Sequence, residues 1–339
     1  MIGKGILITI LGLGIILALL EINIHANTAR SLSTTIDYYS EMEARLIANS
    51  GVEIYLEKMR DNKSMSGGYF TNNPLMGGSY SISITGPDSM LQIRSIGTYN
   101  GITHTSLVAA KRASVTLPSV SSSMYISDNN LNINLGGNIN ISGIDHNMDG
   151  TLGTGSSLPG ITVSNASDSA NIVNNISPKI TTAITGSGNS PSVATSQNST
   201  NWNQITQNIV SAADYTLAAG TYSTGTVLGT AAAPKITYVN GDVNFGGTAT
   251  GYGIMVVNGD ITISGQFTFY GILLVYGQSE IEAQATGQAT VYGSTMFVGQ
   301  SVNFRAASGN ASFLYSKQAI SNAQTNLKSS QFQILNWWE

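Results

Sequence analysis

The sequence has no cysteine, little proline and few charged residues. Its 339 residues include 7 Pro, 14 Lys and Arg, and 18 Asp and Glu. Without cysteine the chain has no disulfide, thiolate zinc site or cysteine nucleophile, so packing and hydrogen bonds must supply its stability. Charged residues form 9% of the chain, against about 25% in typical soluble proteins. This scarcity, with a net charge of −4, excludes the basic stripe that electrostatic nucleic-acid binding requires.

Glycine, by contrast, is abundant. The chain contains 37 Gly, and glycine at this level, against an average of about 7%, suits turn-rich β structure. The length is sufficient for two or three domains, each with a core of its own.

A long hydrophobic segment opens the sequence. The basic leader Met1-Ile2-Gly3-Lys4-Gly5 precedes an uncharged run from Ile6 to Leu20, which Ile22 and Ile24 extend. A helix that spans a membrane needs about 20 apolar residues. A secretory signal peptide is the alternative, but it would end at a small-residue cleavage site, and Ala26-Asn27-Thr28-Ala29 does not supply one.

The following stretch, Asn27 to Arg60, has the pattern of an amphipathic helix. Apolar residues recur there at spacings of three and four, including Leu32, Ile36, Tyr39, Met42, Leu46, Leu56 and Met59. No proline occurs before Pro74, and Gly51 alone weakens the pattern after the membrane segment. We therefore predict one unbroken helix from Gly5 to Arg60, about 84 Å long at 1.5 Å per residue, whose second half needs a domain to cover its apolar stripe.

These features together carry a family resemblance. The Lys-Gly leader, the apolar run, the continuing amphipathic helix and the segment Ala44-Arg45-Leu46-Ile47-Ala48-Asn49-Ser50-Gly51-Val52-Glu53-Ile54-Tyr55-Leu56 resemble the N-terminus of PilX-type minor pilins. These proteins belong to the type IV pilin and pseudopilin superfamily. The resemblance implies that other pilin-like subunits are partners, and that the protein lies in the bacterial inner membrane before it joins a surface pilus.

The resemblance also implies a processing site. A prepilin peptidase would cut after Gly5 and leave Ile6 as the new terminus. The glutamate that the family usually carries five residues into the mature chain falls at Ile10 and is missing, and Glu21 is too distant to replace it. In the family this carboxylate compensates the buried terminal amine, and its absence resembles the pseudopilins that lie at filament tips.

Three short runs of alternating residues follow the helix. They are Tyr80–Ile84, Met90–Ile96 and Thr103–Ala109, separated by the turn residues Gly86-Pro87-Asp88 and Asn100-Gly101. We predict a three-stranded antiparallel meander that packs on the striped part of the helix. The stretch from Ser114 to Ser123 has the composition of a linker.

A repeat of about twenty residues occupies the C-terminal part. The segments Ile236–Phe245, Ile254–Ile263 and Ile272–Ile281 follow one another at intervals of eighteen. A looser copy, Tyr292–Val302, follows at an interval of twenty-two between equivalent residues such as Gly277 and Gly299. Such repeats of short strands with glycine corners are typical of a β-solenoid, in which equivalent apolar residues stack from coil to coil. Because Gly137–Gly143 resembles Gly259–Gly265, the solenoid is expected to start near Met124.

Two further segments are assigned from composition. Residues 151–234 are rich in Ser, Thr, Asn and Gly, and are predicted to be irregular coils and insertions in which Trp202, Ile205 and Ile209 mark a short amphipathic helix. The apolar end Phe332–Glu339 is predicted to pack back as a strand or a solenoid cap.

One loop has the opening of a calcium-binding motif. Asp145, Asn147, Asp149 and Gly150 match D-x-[DN]-x-[DN]-G, but Ser156 stands where the acid at the twelfth position is expected. The two readings are a calcium site, with Asp145, Asn147 and Asp149 as ligands, and an Asx-rich turn whose side chains bond their own backbone.

A catalytic site is not expected. Solenoid enzymes that act on polysaccharides need clustered carboxylates, whereas the acids of residues 113–339 are spread out. Asp242 and Asp260 are an exception, because they stack one coil apart and could face each other. A ladder of exposed turn carboxylates is the alternative explanation.

The predicted fold class is α+β. Residues 1–60 form a pilin-like helix, residues 61–116 an antiparallel meander, and residues 117–339 a right-handed β-helix or β-solenoid. We expect a non-enzymatic minor or tip subunit of a pilus-like filament, with assembly or adhesion as its role, and with a surface or carbohydrate ligand. The alternatives are a major filament subunit, a secreted solenoid adhesin and a β-helix carbohydrate-active enzyme.

Overall fold

The computed structural model describes residues 2–62, 65, 67–113, 117, 119–128, 130–196, 200–277, 280–306, 308–325 and 332–339. The chain divides into two compact units. The first unit contains Met1–Ala113 and Ser329–Glu339, and the second contains Ser114–Lys328. The first unit is therefore built from two segments that lie on either side of the second unit in the sequence.

Within the described residues, the helices are α1 (Ile2–Asp61), α2 (Ala166–Asn175), α3 (Pro178–Ala183), α4 (Trp202–Ser211) and α5 (Lys317–Thr325). The strands are β1 (Gly68–Leu75), β2 (Gly78–Thr85), β3 (Leu91–Tyr99), β4 (Ile102–Arg112), β5 (Met124–Ser127), β6 (Leu131–Leu135), β7 (Asn138–Ser142), β8 (Ile161–Val163), β9 (Ile184–Thr185), β10 (Val193–Thr195), β11 (Tyr215–Tyr222), β12 (Thr226–Leu228), β13 (Lys235–Phe245), β14 (Thr248–Asn258), β15 (Ile261–Ile263), β16 (Gln266–Tyr276), β17 (Glu280–Ala285), β18 (Gln288–Val298), β19 (Ser301–Ala306), β20 (Asn310–Tyr315) and β21 (Phe332–Trp338). Strands β1–β4 and β21 belong to the first unit.

Helix α1 is continuous over 60 residues, which confirms the predicted single helix. It is about 90 Å long at 1.5 Å per residue. Gly51 does not interrupt it and faces the sheet: a Cβ added there would lie 2.6 Å from Ser95 Oγ and 2.8 Å from Tyr80 Cδ2. The residue that weakens the helix pattern is therefore the one that lets the sheet approach closely.

The first unit's sheet is antiparallel, with the strand order β1-β2-β3-β4-β21. The three predicted strands lie in β2, β3 and β4. Asn100 and Gly101 turn the chain between β3 and β4 with φ values of 46° and 80°, as the two-residue hairpin signal predicts. Strand β1 was not predicted, because its Asn and Pro74 are unfavourable in strands except at a sheet edge, which is where β1 lies.

The core of the first unit lies between the C-terminal part of α1 and one face of this sheet. Ile47, Val52 and Leu56 of the helix belong to the same buried apolar cluster as Ile82 and Ile93 of the sheet. Helix residues from Ala44 to Met59 alternate between buried and exposed at helical spacing. This packing confirms that the meander covers an apolar face of the helix over those residues.

The second unit is built around a curled parallel sheet of 16 strands. Its main path is β10-β8-β5-β18-β16-β14-β13-β15-β17-β19-β6. The remaining strands, β7, β9, β11, β12 and β20, join this path through further pairings that are also parallel. Long helix α1 with two strand-rich units confirms the α+β class, whereas the right-handed coiling of a solenoid stays a prediction.

The repeat spacing equals the strand register in the central part of this sheet. Ile236 pairs with Ile254 and Ile254 pairs with Ile272, each eighteen residues on, and Tyr270 pairs with Tyr292 after twenty-two. The third segment departs from prediction in its second half, because Ile263 pairs with Ala285 rather than lying opposite Ile281. The chain has four more residues between Tyr276 and Ala283 than between their partners Asn258 and Ile261, and this difference causes the shift.

The strands do not stack in the order of the sequence. Met124 in β5 pairs with Thr295 in β18, and Asn138 in β7 pairs with Asn310 in β20. On its other side β5 pairs with β8, and β8 pairs with β10. The chain thus enters the second unit at β5, in the middle of the sheet. It next forms one end of the sheet with β8 and β10. The later strands start from the other end, where β11 pairs with β13, and continue back towards β5.

The interior of the second unit is filled by aromatic and aliphatic side chains from successive strands. Phe245 and Phe267 have ring centroids 5.1 Å apart, and Phe304 lies between Phe297 and Phe313 at 5.3 and 5.7 Å. Each fully buried side chain of this kind contributes about 1.5–3 kcal/mol through the hydrophobic effect. These phenylalanines come from different positions of the repeat, whereas Tyr252, Tyr270 and Tyr292 are in register and stack as like residues.

Helices α4 and α5 cover the outer side of strands β14, β16 and β18 at one end. Ile209 of α4 and Ile320 of α5 share a buried cluster with Ile254 and Ile272, while the neighbouring Met255 belongs to the interior cluster. Both faces of these strand ends are therefore buried. Helix α4 confirms the short amphipathic helix predicted around Trp202.

Two predicted boundaries differ from the structure. Residues 151–234 are not only an insertion, because β8 and β10 extend the parallel sheet beyond β5. The segment Phe332–Glu339 does form a strand, but β21 pairs with β4 of the first unit and does not cap the second. An isolated apolar run gives no indication of which sheet it will join, since both sheets offer edges.

Candidate functional site

The N-terminal part of α1 exposes a continuous apolar surface. Every Ile and Leu from Ile6 to Ile24 is at least 52% exposed. The helix is long and apolar enough, by length and composition, to cross a membrane, with a mean hydropathy of 2.4 over its most apolar window. An exposed surface of this size requires lipid or other apolar helices as its surroundings.

The apolar exposure continues past the membrane-like run. Leu32, Ile36, Tyr39 and Met42 are each at least 50% exposed. The prediction that strands cover the amphipathic half is therefore wrong for Leu32, Ile36, Met42 and Leu46, and correct for the buried residues between Ala44 and Met59. Ser40 marks the change, since it is 1% exposed and its hydroxyl accepts a hydrogen bond from Asn100 Nδ2 at 3.3 Å.

Small residues allow α1 and β3 to come into backbone contact. A Cβ placed on Gly97 would lie 2.1 Å from the Ala44 carbonyl oxygen and 2.6 Å from the Ala48 nitrogen. Ala44 and Ala48 are one helical turn apart and both fully buried. The helix is thus fixed on the sheet by shape, because no side chain larger than hydrogen fits at Gly97.

Arg112 joins four parts of the first unit. Its guanidinium donates to the carbonyl oxygens of Met59 at 3.3 Å and Met65 at 3.1 Å, and its Nε lies 3.4 Å from Asp88 Oδ1. The guanidinium carbon also lies 4.5 Å from the centroid of the Phe332 ring in β21. Burial lowers the pKa of Arg112, and the Asp88 carboxylate partly opposes that shift.

Glu339 fixes the other end of β21 to the helix. Its carboxylate accepts a hydrogen bond from Asn49 Nδ2 at 2.8 Å and pairs with Arg45. Asn49 in turn accepts a hydrogen bond from Ser106 of β4. Sequence reasoning missed this cluster and Arg112, because Glu339 is 290 residues from Asn49 and Phe332 is 220 residues from Arg112, and partners so distant leave no periodic signal.

The predicted processing residues lie in the same helix. Gly5 and Ile6 are both within α1, and Ile10, at the position of the missing glutamate, is 65% exposed among apolar neighbours. Cleavage after Gly5 stays a prediction.

The calcium-motif residues are held by hydrogen bonds within the loop and by one from the first residue of α5. Asp145 is 5% exposed, and its two carboxylate oxygens accept the backbone N–H groups of Gly155 at 2.7 Å and Lys317 at 2.8 Å. Asn147 Nδ2 donates to Thr151 Oγ1 at 3.0 Å, and Asp149 Oδ1 accepts the Thr151 N–H at 2.9 Å. The bonds from Thr151 lower the pKa of Asp149.

These bonds match the Asx-rich turn, in which side chains replace backbone partners. Among the described residues no group of three or more His, Asp or Glu side chains is placed to hold a metal ion. Calcium binding at Asp145, Asn147 and Asp149 stays a prediction.

Asp242 and Asp260 are in contact, but the Asp242 carboxylate bonds to the backbone of Asp260 and not to its side chain. The Asp260 N–H donates to Asp242 Oδ1 at 2.9 Å, and the Asp260 carbonyl accepts the Val243 N–H at 2.9 Å. The Asp242 carboxylate therefore closes a turn between adjacent strands, which is a structural use of that side chain.

A second carboxyl pair, not predicted from the sequence, is buried in the second unit. Asp128 follows β5 and Asp168 lies in the first turn of α2, and each is 7% exposed. Burial, then the charge of Asp168 and a hydrogen bond between the two side chains, raise the pKa of Asp128 to about 7. Asp128 therefore retains its proton up to near neutral pH, because ionising a buried carboxyl beside another carboxylate is unfavourable.

Comparisons with known proteins add little. No protein-family model matches the sequence, and no curated protein matches it. Among solved structures, the chain is similar to the competence-associated pilin ComZ from Thermus thermophilus, with a TM-score of 0.27 and 10% identity. The similar region covers 88% of this chain and 97% of that chain. At this score and identity the similarity establishes neither fold nor function.

Proposed function

We propose that this protein is a pilin-like subunit of a bacterial surface filament. The observation that carries the proposal is α1: one 60-residue helix whose first part is exposed and apolar and whose last part packs on an antiparallel sheet. The exposed part would lie in the inner membrane before assembly and contact the same part of other subunits afterwards.

The length of the exposed surface supports assembly in addition to anchoring. A membrane requires about 20 apolar residues, whereas exposed apolar side chains extend from Ile6 to Leu46. The residues beyond the membrane run, among them Leu32, Ile36 and Met42, need a partner outside the hydrocarbon. Helices of neighbouring subunits provide such a surface, since they carry the same stripe.

The second unit would be displayed at the cell surface as a rigid β-solenoid. Its parallel strands, equal register and stacked interior aromatics support coiling. We propose a structural and adhesive role without catalysis, and the position of a minor or tip subunit, because Ile10 replaces the glutamate that repeated subunits of the family carry.

The test is expression of the full chain in a piliated bacterium, followed by membrane fractionation, N-terminal sequencing and quantification in sheared fibres. The protein is expected in the membrane pellet and, with a mature start at Ile6, at low abundance in fibres. A variant with Leu13→Arg and Leu17→Arg should leave the membrane fraction, since each arginine costs about 2.5–3.5 kcal/mol at a membrane helix centre.

Leu32→Arg is the matched control, because Leu32 is equally exposed but lies outside the apolar run. It should stay in the membrane pellet and reduce fibre incorporation. A mature start near Asn27, or a membrane fraction unaffected by the paired arginines, would contradict the proposal. High abundance in fibres would instead indicate a major subunit.

A further inference from the structure

Two clefts lie side by side along helix α4 in the second unit. The larger, about 600 Å³, is formed where strands β16, β18 and β5 end, and Gly277, Val298 and Ser127 from those ends line it. The smaller, about 320 Å³, is lined by Asn203, Gln207, Asn258 and Tyr276. Asn203 lines both clefts, so the described residues form one continuous polar surface across α4.

The chemistry of the lining selects a class of ligand. Both clefts contain side-chain amides and an aromatic ring, and Asp128 is the acidic residue of the larger one. The amide and aromatic residues are Asn201, Trp202, Asn203, Gln207, Asn258, Tyr276 and Gln300. No Lys or Arg is among the described lining residues. An anionic ligand would meet Asp128 without a compensating cation, and a purely apolar ligand would leave the amides without partners.

One buried polar group at the larger cleft lacks a partner. The Trp202 indole N–H has no acceptor within the described part of the chain, whereas the Asp128 carboxyl is hydrogen-bonded to the Asp168 carboxyl and to the Val302 N–H. Buried polar groups are normally satisfied by protein, ordered water or ligand. A ligand rich in acceptors, with the waters that accompany it, can supply the missing partner.

We propose that these two clefts bind a neutral oligosaccharide across Asn203. Hydroxyl groups both donate and accept, as amide side chains do, and the partly exposed Trp202 and Tyr276 offer apolar ring surface to a sugar. The inference deepens the adhesive role proposed above and depends on that proposal only for the location of the clefts outside the cell.

The experiment uses the full chain, purified in a zwitterionic detergent that has no sugar headgroup. The probe is an array of neutral oligosaccharides, ending in hexoses or N-acetylhexosamines, beside sialylated and sulfated ones. Binding of at least one neutral oligosaccharide, with acidic forms at least about tenfold weaker, is the expected result. Binding of acidic forms alone, or of no neutral probe, would overturn the proposal.

Three variants locate the binding. Asn203→Ala should weaken binding of the selected oligosaccharide by about tenfold, because its exposed amide serves both clefts. Trp202→Phe keeps the ring but removes the N–H, and should weaken binding less and abolish the ligand-induced change in tryptophan fluorescence. Gln204→Ala is the matched control, since Gln204 is exposed on the same helix and lines neither cleft.

Equal thermal unfolding temperatures of the unchanged protein and its three variants establish that the variants are folded. If Asn203→Ala binds like the unchanged protein, or if Gln204→Ala weakens binding to the same extent, the proposed location is wrong. Loss of filament incorporation leaves this result unaffected, because binding is measured on the purified chain. Failure of the filament proposal and failure of the oligosaccharide proposal are thus separable.

Discussion

The two units achieve close packing in different ways. In the first, a helix meets a sheet at one point of backbone contact, where Ala44 and Ala48 lie against Gly97. In the second, close backbone contacts at glycine recur from one strand to the next, where Gly253, Gly271 and Gly293 stack in register with φ values of 118°, 136° and 138°. The first unit therefore depends on a few individual contacts, whereas the second depends on a contact that recurs in each repeat.

This difference predicts which substitutions destabilise each unit most. A distributed stack tolerates loss of one apolar side chain, but Gly253, Gly271 and Gly293 leave no space for a side chain. The first unit depends on single residues that have no equivalent in a repeat, such as Arg112.

The largest effect is expected from Gly271→Val. Its Cβ would lie 1.9 Å from the Gly253 carbonyl oxygen, at a φ that side chains disfavour. The second unit should lose on the order of 4 kcal/mol or more, and limited proteolysis with mass spectrometry should show new cleavage within residues 114–328 only. Gly225→Ala, where a Cβ meets open space, should leave the cleavage pattern unchanged.

Arg112→Leu should destabilise the first unit alone. It removes the donor to the Met59 and Met65 carbonyls and leaves Asp88 without its cation, at a cost of about 3 kcal/mol. Hydrogen exchange should accelerate in β4 and β21 while the strands of the second unit stay protected. Arg112→Lys should be intermediate, and equal protection in all three proteins would show that the tie is dispensable.

The second unit's stability should fall as the pH rises from about 4 to about 7. The pKa of Asp128 is about 7 in the folded chain, against an ordinary 3.8, so the folded state binds the proton more tightly and its advantage is lost through that window. A fall in Tm on the order of 5 °C is expected, measured by calorimetry.

Asp168→Asn should reduce this pH dependence without abolishing it, because it removes the neighbouring charge but leaves burial, the larger cause of the raised pKa of Asp128. Arg112 variants should leave the slope unchanged, since they act in the other unit. A Tm that rises over the same window would contradict the raised pKa of Asp128.

The smallest effect is expected at the exposed tie between Arg45 and Glu339. The Arg45 side chain is 57% exposed and that of Glu339 29%, and such pairs contribute about 0.2–1 kcal/mol. A double-mutant cycle with Arg45→Ala and Glu339→Gln should give a coupling in that range, and it should diminish in high salt. A coupling above about 2 kcal/mol would make this tie comparable to Arg112.

Features that depend on regular spacing were predictable from the sequence, whereas contacts between residues far apart in the chain were not. The unbroken helix, the Asn100-Gly101 turn and the register of Ile236 with Ile254 all follow from spacing within a few residues or one repeat. The partner of β21, the pairing of Met124 with Thr295, and the Asp128 and Asp168 pair depend on residues far apart in the chain. No local pattern encodes them, because each partner has an ordinary composition for a strand or helix end.

The position of β5 in the middle of its stack has a kinetic consequence. One side of β5 and β7 is open until β18 and β20 exist, about 170 residues later in the chain, and β4 likewise waits for β21. Such high contact order slows folding into the millisecond-to-second range, and unpaired edges promote aggregation in the meantime. A chain assembled in this order gains from protection while it is being synthesised.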